Sequence, residues 1–284
     1  AIEKSSSISI VNGMATLTSV FQDLFDSFTI APEWTVYQRN ANVFSSLGFL
    51  RMIVLGGDAD SILVKTDPIP AQFNATIRWI PENISSMPNG AMFNIFSVFN
   101  GPTLPTPNDI RVGGLGTSTT HHTIIARRVR GSDGSHRFGF VACRADGVFV
   151  GWNQSTLTWV PGAGDQLIPA GKESTLWTFE FSVNALGQLI IKAKDDQSVI
   201  RFDTSSQPLA IKINDNQRWM VLGDSDLSDM PSGTTQLFDS VETDIPTSGS
   251  SSGFIRFRDS MGARGKLGPI KVIPSTLIQT QPAP

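Results

Sequence analysis

A single cysteine, Cys143, stands in 284 residues, so no intrachain disulfide can form and the fold must be held by its core. The simplest role for Cys143 is a small buried hydrophobe in a strand. Histidine is also scarce, with His121, His122 and His136 the only copies. Adjacent residues of a strand point to opposite faces, so His121 and His122 cannot chelate one metal without distortion, and neither a zinc site nor a serine hydrolase triad is expected. Tyrosine occurs once, at Tyr37, which weighs against a surface specialised for glycan recognition. Charged residues make up 17% against a usual ~25%, and the net charge of −3 excludes a polycation that coats nucleic acid. No apolar run approaches the ~20 residues of a membrane-spanning helix. No phosphate-binding glycine loop is expected either, because Gly113-Gly114-Leu115-Gly116 follows no clear strand and no lysine comes after it.

Turn-forming residues are plentiful, with 25 glycines and 17 prolines, and 40% of the chain is apolar, enough for a substantial core of strands and turns. The clearest passage is Trp177 to Asp203. In Trp177, Phe179, Phe181 and Val183 every second residue is apolar, which is the period of a half-buried strand. Turns at Ala185-Leu186-Gly187 and Asp195-Asp196 then separate strands Leu189 to Lys194 and Val199 to Asp203, an antiparallel meander. The same grammar predicts strands opening at Trp34, and over Ser61 to Lys65, Phe73 to Ile80, Met92 to Phe99, Thr123 to Arg130, Arg137 to Arg144, Val148 to Trp152, Trp219 to Gly223 and Gln236 to Thr243. Phe21, Leu24, Phe25 and Phe28 carry the spacing of one helical turn, which Pro32 ends. The Gly/Pro/Thr-rich stretch from Asn100 to Thr120 reads as a long loop, too broken for a core element and of a length that implies binding or covering an edge.

The termini read differently from the body. Asn12-Gly13 between alternating apolar residues predicts a hairpin over residues 1–20, packed on the body or exchanged with a neighbouring copy. The chain begins at Ala1 rather than Met, as a trimmed chain would. After Ile245 the composition changes to a Ser/Gly linker, residues 246–253, and then to a tail, 254–284, in which Arg256, Arg258, Arg264, Lys266 and Lys271 face a single acid, Asp259. Two apolar, strand-prone stretches of the tail, Phe254-Ile255-Arg256-Phe257 and Ile270 to Ile273, could add as strands to a neighbouring subunit, while its dispersed basic residues would make only a modest phosphate-binding arm.

Residues 21–245 resemble the concanavalin A-like, laminin G-like jelly-roll superfamily in three places. The opening Phe21, Asp23, Phe25 and Asp26 with Trp34 and Gly48-Phe49-Leu50 is similar to its first strands, Phe179 to Ala193 to its central meander, and Leu237 to Glu242 to its closing strand. The resemblance implies an all-β chain of two stacked antiparallel sheets, a jelly-roll sandwich with an N-terminal hairpin and an extended C-terminal tail. Its concave face or end loops would be open to ligands. The superfamily includes lectins, glycosidases and many phage, viral and cell-surface proteins, so the fold alone does not choose a function. Its laminarinase-type glycosidases carry an E-x-D-x-x-E run that places a nucleophile and a general acid about one bond, and this sequence has no such run.

Six tryptophans are the best functional clue, since sugar rings stack on exposed indoles. Trp34 and Trp177 sit in strand alternation and belong to the core. Trp79, Trp152 and Trp159 fall at strand ends beside amides such as Asn153, and are the candidates for a glycan site. Asn74, Asn83 and Asn153 also head N-x-S/T sequons, about as many as chance supplies in a chain this rich in Ser and Thr. Asp224, Asp226 and Asp229 form a loop whose oxygens could hold calcium, as Asp58 and Asp60 could with less force. Taken together, the sequence points to a non-enzymatic, extracellular or virion-surface sandwich. It would join copies of itself or a larger particle through its hairpin and through tail residues Phe254, Arg256, Phe257, Arg258, Arg264, Lys266 and Lys271, with nucleic acid engaged at most by that tail. A lectin-like glycan-binding module is the alternative, and a glycosidase with an atypical carboxylate pair a third.

Overall fold

In the computed structural model, residues 2–11, 14–82, 86–114, 119–162, 164–212, 217–225, 227, 230–244 and 278–279 are described, with side chains only between 21 and 244. The linker, nearly all of the tail, and Asn83, Asp226 and Asp229 lie outside the described residues, so the expectations placed on them are not addressed by the fold.

In chain order the strands are β1 (Ile2–Val11), β2 (Met14–Asp23), β3 (Trp34–Arg39), β4 (Ala41–Ser46), β5 (Phe49–Val54), β6 (Asp60–Lys65), β7 (Phe73–Glu82) and β8 (Met92–Gly101). After a short helix, α1 (Pro107–Gly113), come β9 (His121–Arg130), β10 (His136–Cys143), β11 (Phe149–Asn153), β12 (Thr158–Pro161), β13 (Asp165–Leu167), β14 (Trp177–Val183), β15 (Gln188–Lys194) and β16 (Ile200–Asp203). β17 (Leu209–Ala210), β18 (Gln217–Asp224), β19 (Thr235–Thr243) and β20 (Ile278–Gln279) complete the described elements. They form two antiparallel sheets. One has eleven strands, with β1-β2-β19-β7-β14-β15-β16 as its main path, and the other nine, with β12-β11-β10-β9-β8-β18-β6-β3 as its main path. This is the all-β, two-sheet jelly-roll sandwich that the resemblance implied. In both sheets strands distant in sequence lie side by side, as β19 does with β2 and β7, so early and late parts of the chain close the same layer.

The core between the sheets is built on the alternation visible in the sequence. β14 alternates buried and half-buried residues along its whole length. At the centre Phe138 meets Trp177 at 4.8 Å, Phe179 at 5.2 Å and Trp79 at 6.0 Å, ring edge against ring face. That geometry sets the positive edge of one ring against the negative face of the next.

Two expectations need correction. Phe21 to Phe28 forms no helical turn: Phe21 continues β2, and the chain then bends because the Asp23 carboxylate accepts the Phe25 N–H (2.9 Å) and the Trp34 indole N–H (3.0 Å), sinking both aromatic rings into the core. Nor is 100–120 a loop without a core element. Within it Thr106 caps α1, accepting from the Asp109 N–H while the Asp109 carboxylate takes the Thr106 N–H at 2.8 Å, and Pro107 opens the helix where a missing N–H costs nothing. Ile110 of α1 drives into a second hydrophobic cluster of Ile62, Val64, Phe99, Trp219 and Val221, on the side of the nine-stranded sheet away from the main core. β6 is therefore buried at every position, Leu63 toward the main core and Ile62 and Val64 toward α1.

Candidate functional site

Burial sorts the proposed tryptophans. Trp79 has no exposed surface, lies among Phe93, Phe138 and Phe179, and gives its indole N–H to Gln236. Trp152 is also fully buried. Neither offers an indole face to a sugar, contrary to the expectation: Trp79 lies within β7 on its buried face, and Trp152, near the end of β11, still points into the core. Trp159 alone of the three keeps open surface; it packs edge-on to Trp152 with ring centroids 5.4 Å apart and donates its N–H to the Gln207 carbonyl at 2.9 Å.

Next to this pair opens a cleft of about 720 Å³, and Asn153 is among its lining residues. Its walls come from four separate places: Arg137 on β10, Asn153 to Ser155 in the β11–β12 turn, Gly164 to Leu167 at β13, and Arg201 and Phe202 on β16. A hydrogen-bonded chain holds the turn and β13 together. The Trp152 indole donates to Gln154 Oε1 (2.9 Å), the Gln154 N–H donates to Gln166 Oε1 (2.9 Å), and Gln166 Nε2 returns a bond to the Trp152 carbonyl (2.7 Å). Because an indole nitrogen only donates, these bonds fix which end of the Gln154 amide carries the oxygen and leave its NH2 as a donor. Asn153 is oriented in the same way, its Oδ1 accepting from the Ser155 N–H (3.0 Å), the Ser155 hydroxyl (2.7 Å) and the Thr156 N–H (3.3 Å).

Two glycines permit this packing. A Cβ on Gly164 would lie 2.3 Å from the Trp152 carbonyl oxygen, so no other residue lets β13 approach the turn. Gly139 lies opposite both Arg127 and Asp165 in the ladders, and their side chains meet across it, Arg127 Nη2 to Asp165 Oδ1 at 3.0 Å. The cleft arginines are held from behind. Arg137 binds Asp133 at 2.8 Å, and Arg201 binds Asp195 at 2.7 Å. Hydrogen bonds from the Ser135 hydroxyl and N–H, reinforced by Arg137, bring the Asp133 carboxyl down to about 2. Burial works to raise Asp195, but the Arg201 side chain and the Val199 and Gln197 N–H groups outweigh it and hold that carboxyl below its ordinary value.

The other candidates are placed elsewhere. Both oxygens of Asp224 take backbone N–H groups, Asn94 and Ser225, each at 2.8 Å. Asp58 and Asp60 both bind Arg39 at 2.9 Å. Each of these acids already has a hydrogen-bond or ion-pair partner. No group of three or more His, Cys, Asp or Glu suited to a metal occurs among the described residues. His121 and His122 are both buried, and His122 Nε2 lies 3.1 Å from the Ile110 carbonyl, tying β9 to α1; burial pushes its pKa down to about 4. Cys143 is buried. The Asn74 sequon amide donates to Asp244 at 2.6 Å. No described helix is long and apolar enough to cross a membrane.

Sequence reasoning reached Asn153 but not Arg137, Asp165, Gln166 or Arg201, whose convergence leaves no local pattern; the run Trp152-Asn153-Gln154 was the one visible sign. No protein-family profile and no curated protein matches the chain. Among solved structures it is similar to lectin I-B4 of Griffonia simplicifolia in its metal-free form, with a TM-score of 0.49 and 9% identity over 79% of this chain and 98% of that one. It is also similar to a Lotus tetragonolobus seed lectin, at 0.45 and 10% over 79% and 96%. A mutant of the GH43 protein BlXynB from Bacillus licheniformis gives 0.47 and 11% over 80% of this chain, which spans 39% of that larger one. Likeness at this level does not bear on what the chain does.

Proposed function

We propose that this chain is a non-enzymatic surface component of a virion or other extracellular assembly, whose sandwich body binds a glycan in the cleft and whose terminal segments attach it to copies of itself or to a larger particle. The composition of the cleft carries the binding half. Two amide NH2 groups held by their own oxygens, two anchored guanidinium groups and a floor of Val160, Pro169 and Phe202 suit a ligand rich in hydroxyl acceptors with apolar ring faces. Among the described lining residues Asp165 is the one carboxylate, and Arg127 already holds it. A glycosidase needs two carboxyl groups about 5–9.5 Å apart across the scissile bond. Low charge, abundant Ser and Thr and the absence of cysteine pairs support the surface assignment.

A glycan array probed with the full-length chain tests the binding half. Binding that is lost in Gln154→Ala and Arg201→Ala, with the fold intact by circular dichroism, is the expected result. An empty array would sink it, and glycan turnover by the purified chain would overturn the non-enzymatic part. For the attachment half, deletion of residues 247–284 is expected to leave a folded body that no longer joins a larger particle; unchanged attachment removes the tail from the proposal.

A further inference from the structure

Residues 2–23 leave the sandwich as a two-stranded ribbon. β1 pairs with β2 through all ten of its residues, from Ile2 opposite Asp23 at the base to Val11 opposite Met14 at the tip, with no bulge. Among the described residues β2 pairs with the body through Phe21, Gln22 and Asp23, opposite Thr243, Glu242 and Val241 of β19. The pairs from Ser5–Val20 outward lie beyond that junction, and at about 3.4 Å per residue they reach roughly 24 Å from the sheet. An isolated two-stranded hairpin is marginally stable in water. Among the described residues only the two-residue β20, opposite Met14 and Ala15, adds to it, and no described strand covers the outer edge of β1.

Proteins protect such edges with charge, proline or bulges. Beyond the charged base at Glu3 and Lys4 this edge has none of them: no Asp, Glu, Lys, Arg or Pro occurs from Ser5 to Gln22. The register also sets Ile8 opposite Leu17 and Ile10 opposite Ala15, whereas Ser7 stands opposite Thr18 and Ser9 opposite Thr16. Alternate positions of a strand share a face, so the Ile8–Leu17 and Ile10–Ala15 pairs fall on one face with Ser6–Ser19, and the Ser7–Thr18 and Ser9–Thr16 pairs fall on the other with Val11–Met14 at the tip.

We infer that the outer edge of β1 is completed by β1 of a second copy of this chain, running antiparallel about a two-fold axis to give a four-stranded sheet in the order β2-β1-β1-β2. Charge selects the direction. A parallel pairing would set Glu3 beside Glu3 and Lys4 beside Lys4, whereas an antiparallel one lays each charged base against the uncharged tip of its partner. A two-fold pairing is self-complementary and closes at two copies. Four strands pass the number at which a sheet holds by itself, which two strands do not. This specifies the partner for the attachment half of the proposed function and is independent of the cleft.

The test is the solution mass of the full-length chain by light scattering over a roughly hundredfold concentration range, beside a Ser7→Lys/Ser9→Lys variant and a chain lacking residues 247–284. The expected result is a dimer that the two lysines weaken at least about tenfold, through like charge along the shared edge, and that tail deletion leaves intact. Retained glycan binding by the lysine variant serves as its folding control, with the thermal midpoint as a second control if the array is empty, so failure of the cleft and failure of the ribbon are read apart. A full-length monomer, an assembly whose mass the lysines do not change, or a dimer lost with the tail would each overturn the inference.

Discussion

The two ends of the nine-stranded sheet are finished in different ways. At one end α1 closes it: Ile110 caps Ile62, Val64, Phe99, Trp219 and Val221, and His122 ties the helix down at its carbonyl. At the other end β13 and the β11–β12 turn leave it open, and hydrogen bonds among Trp152, Gln154 and Gln166 shape the gap. The closed end is held by removal of apolar surface from water, which is non-directional and tolerant of exact placement. The open end is held by directional bonds that fix where donors stand, which a ligand can use. Under the proposed function, stability and recognition thereby fall to different ends of the nine-stranded sheet.

The largest effect separates the halves. Trp219→Ala, at the closed end, is expected to destabilise by about 3–5 kcal/mol in urea denaturation, while the folded fraction keeps full glycan affinity; a matching loss of affinity would show the ends to be coupled.

Acid probes the closed end more gently. His122 falls from an ordinary 6.5 to about 4, chiefly through burial. Between those values the unfolded chain takes up a proton that the folded chain refuses. Stability present above pH 6.5 therefore declines as pH falls toward 4, by on the order of 3 kcal/mol at its fullest. Burial, with Arg128 and Arg130, likewise lowers His136 to about 4, so both residues act in this window. His122→Gln should flatten the pH dependence of the thermal midpoint; an unchanged slope would assign the effect to His136.

At the open end the order of effects reverses. Gly164→Ala forces a Cβ toward the Trp152 carbonyl and is expected to cost about 1–3 kcal/mol while weakening glycan binding by more than that loss of stability explains. Asn153→Ala removes the acceptor that closes the turn, for about 1 kcal/mol of stability, yet should abolish binding on the array. If both variants bind normally, the cleft is not where the ligand sits.

How much of this was legible depends on the range of the interaction. The Trp177–Asp203 meander was readable because alternation and turns act between near neighbours, and β14, β15 and β16 follow it closely. The capping box Thr106-Pro107-Asn108-Asp109 was equally local and readable, but the surrounding Gly and Pro outweighed it in a reading by composition. Trp152 was placed near a strand end correctly, whereas Trp79 falls inside β7, and the burial of both depends on what the other sheet brings over them.

By itself the sequence determined the all-β class, the meanders, the N-terminal pairing around Asn12-Gly13 and the reliance on a core without disulfides, because period, turn chemistry and cysteine number are properties of adjacent residues or simple counts. Only the tertiary structure decided that α1 closes one end of the sheet, that Gly139 lets Arg127 reach Asp165, and that Arg137, Asn153, Gln166 and Arg201 border one cleft. Those contacts join side chains far apart along the chain, and their cost or gain exists only once the two sheets have stacked.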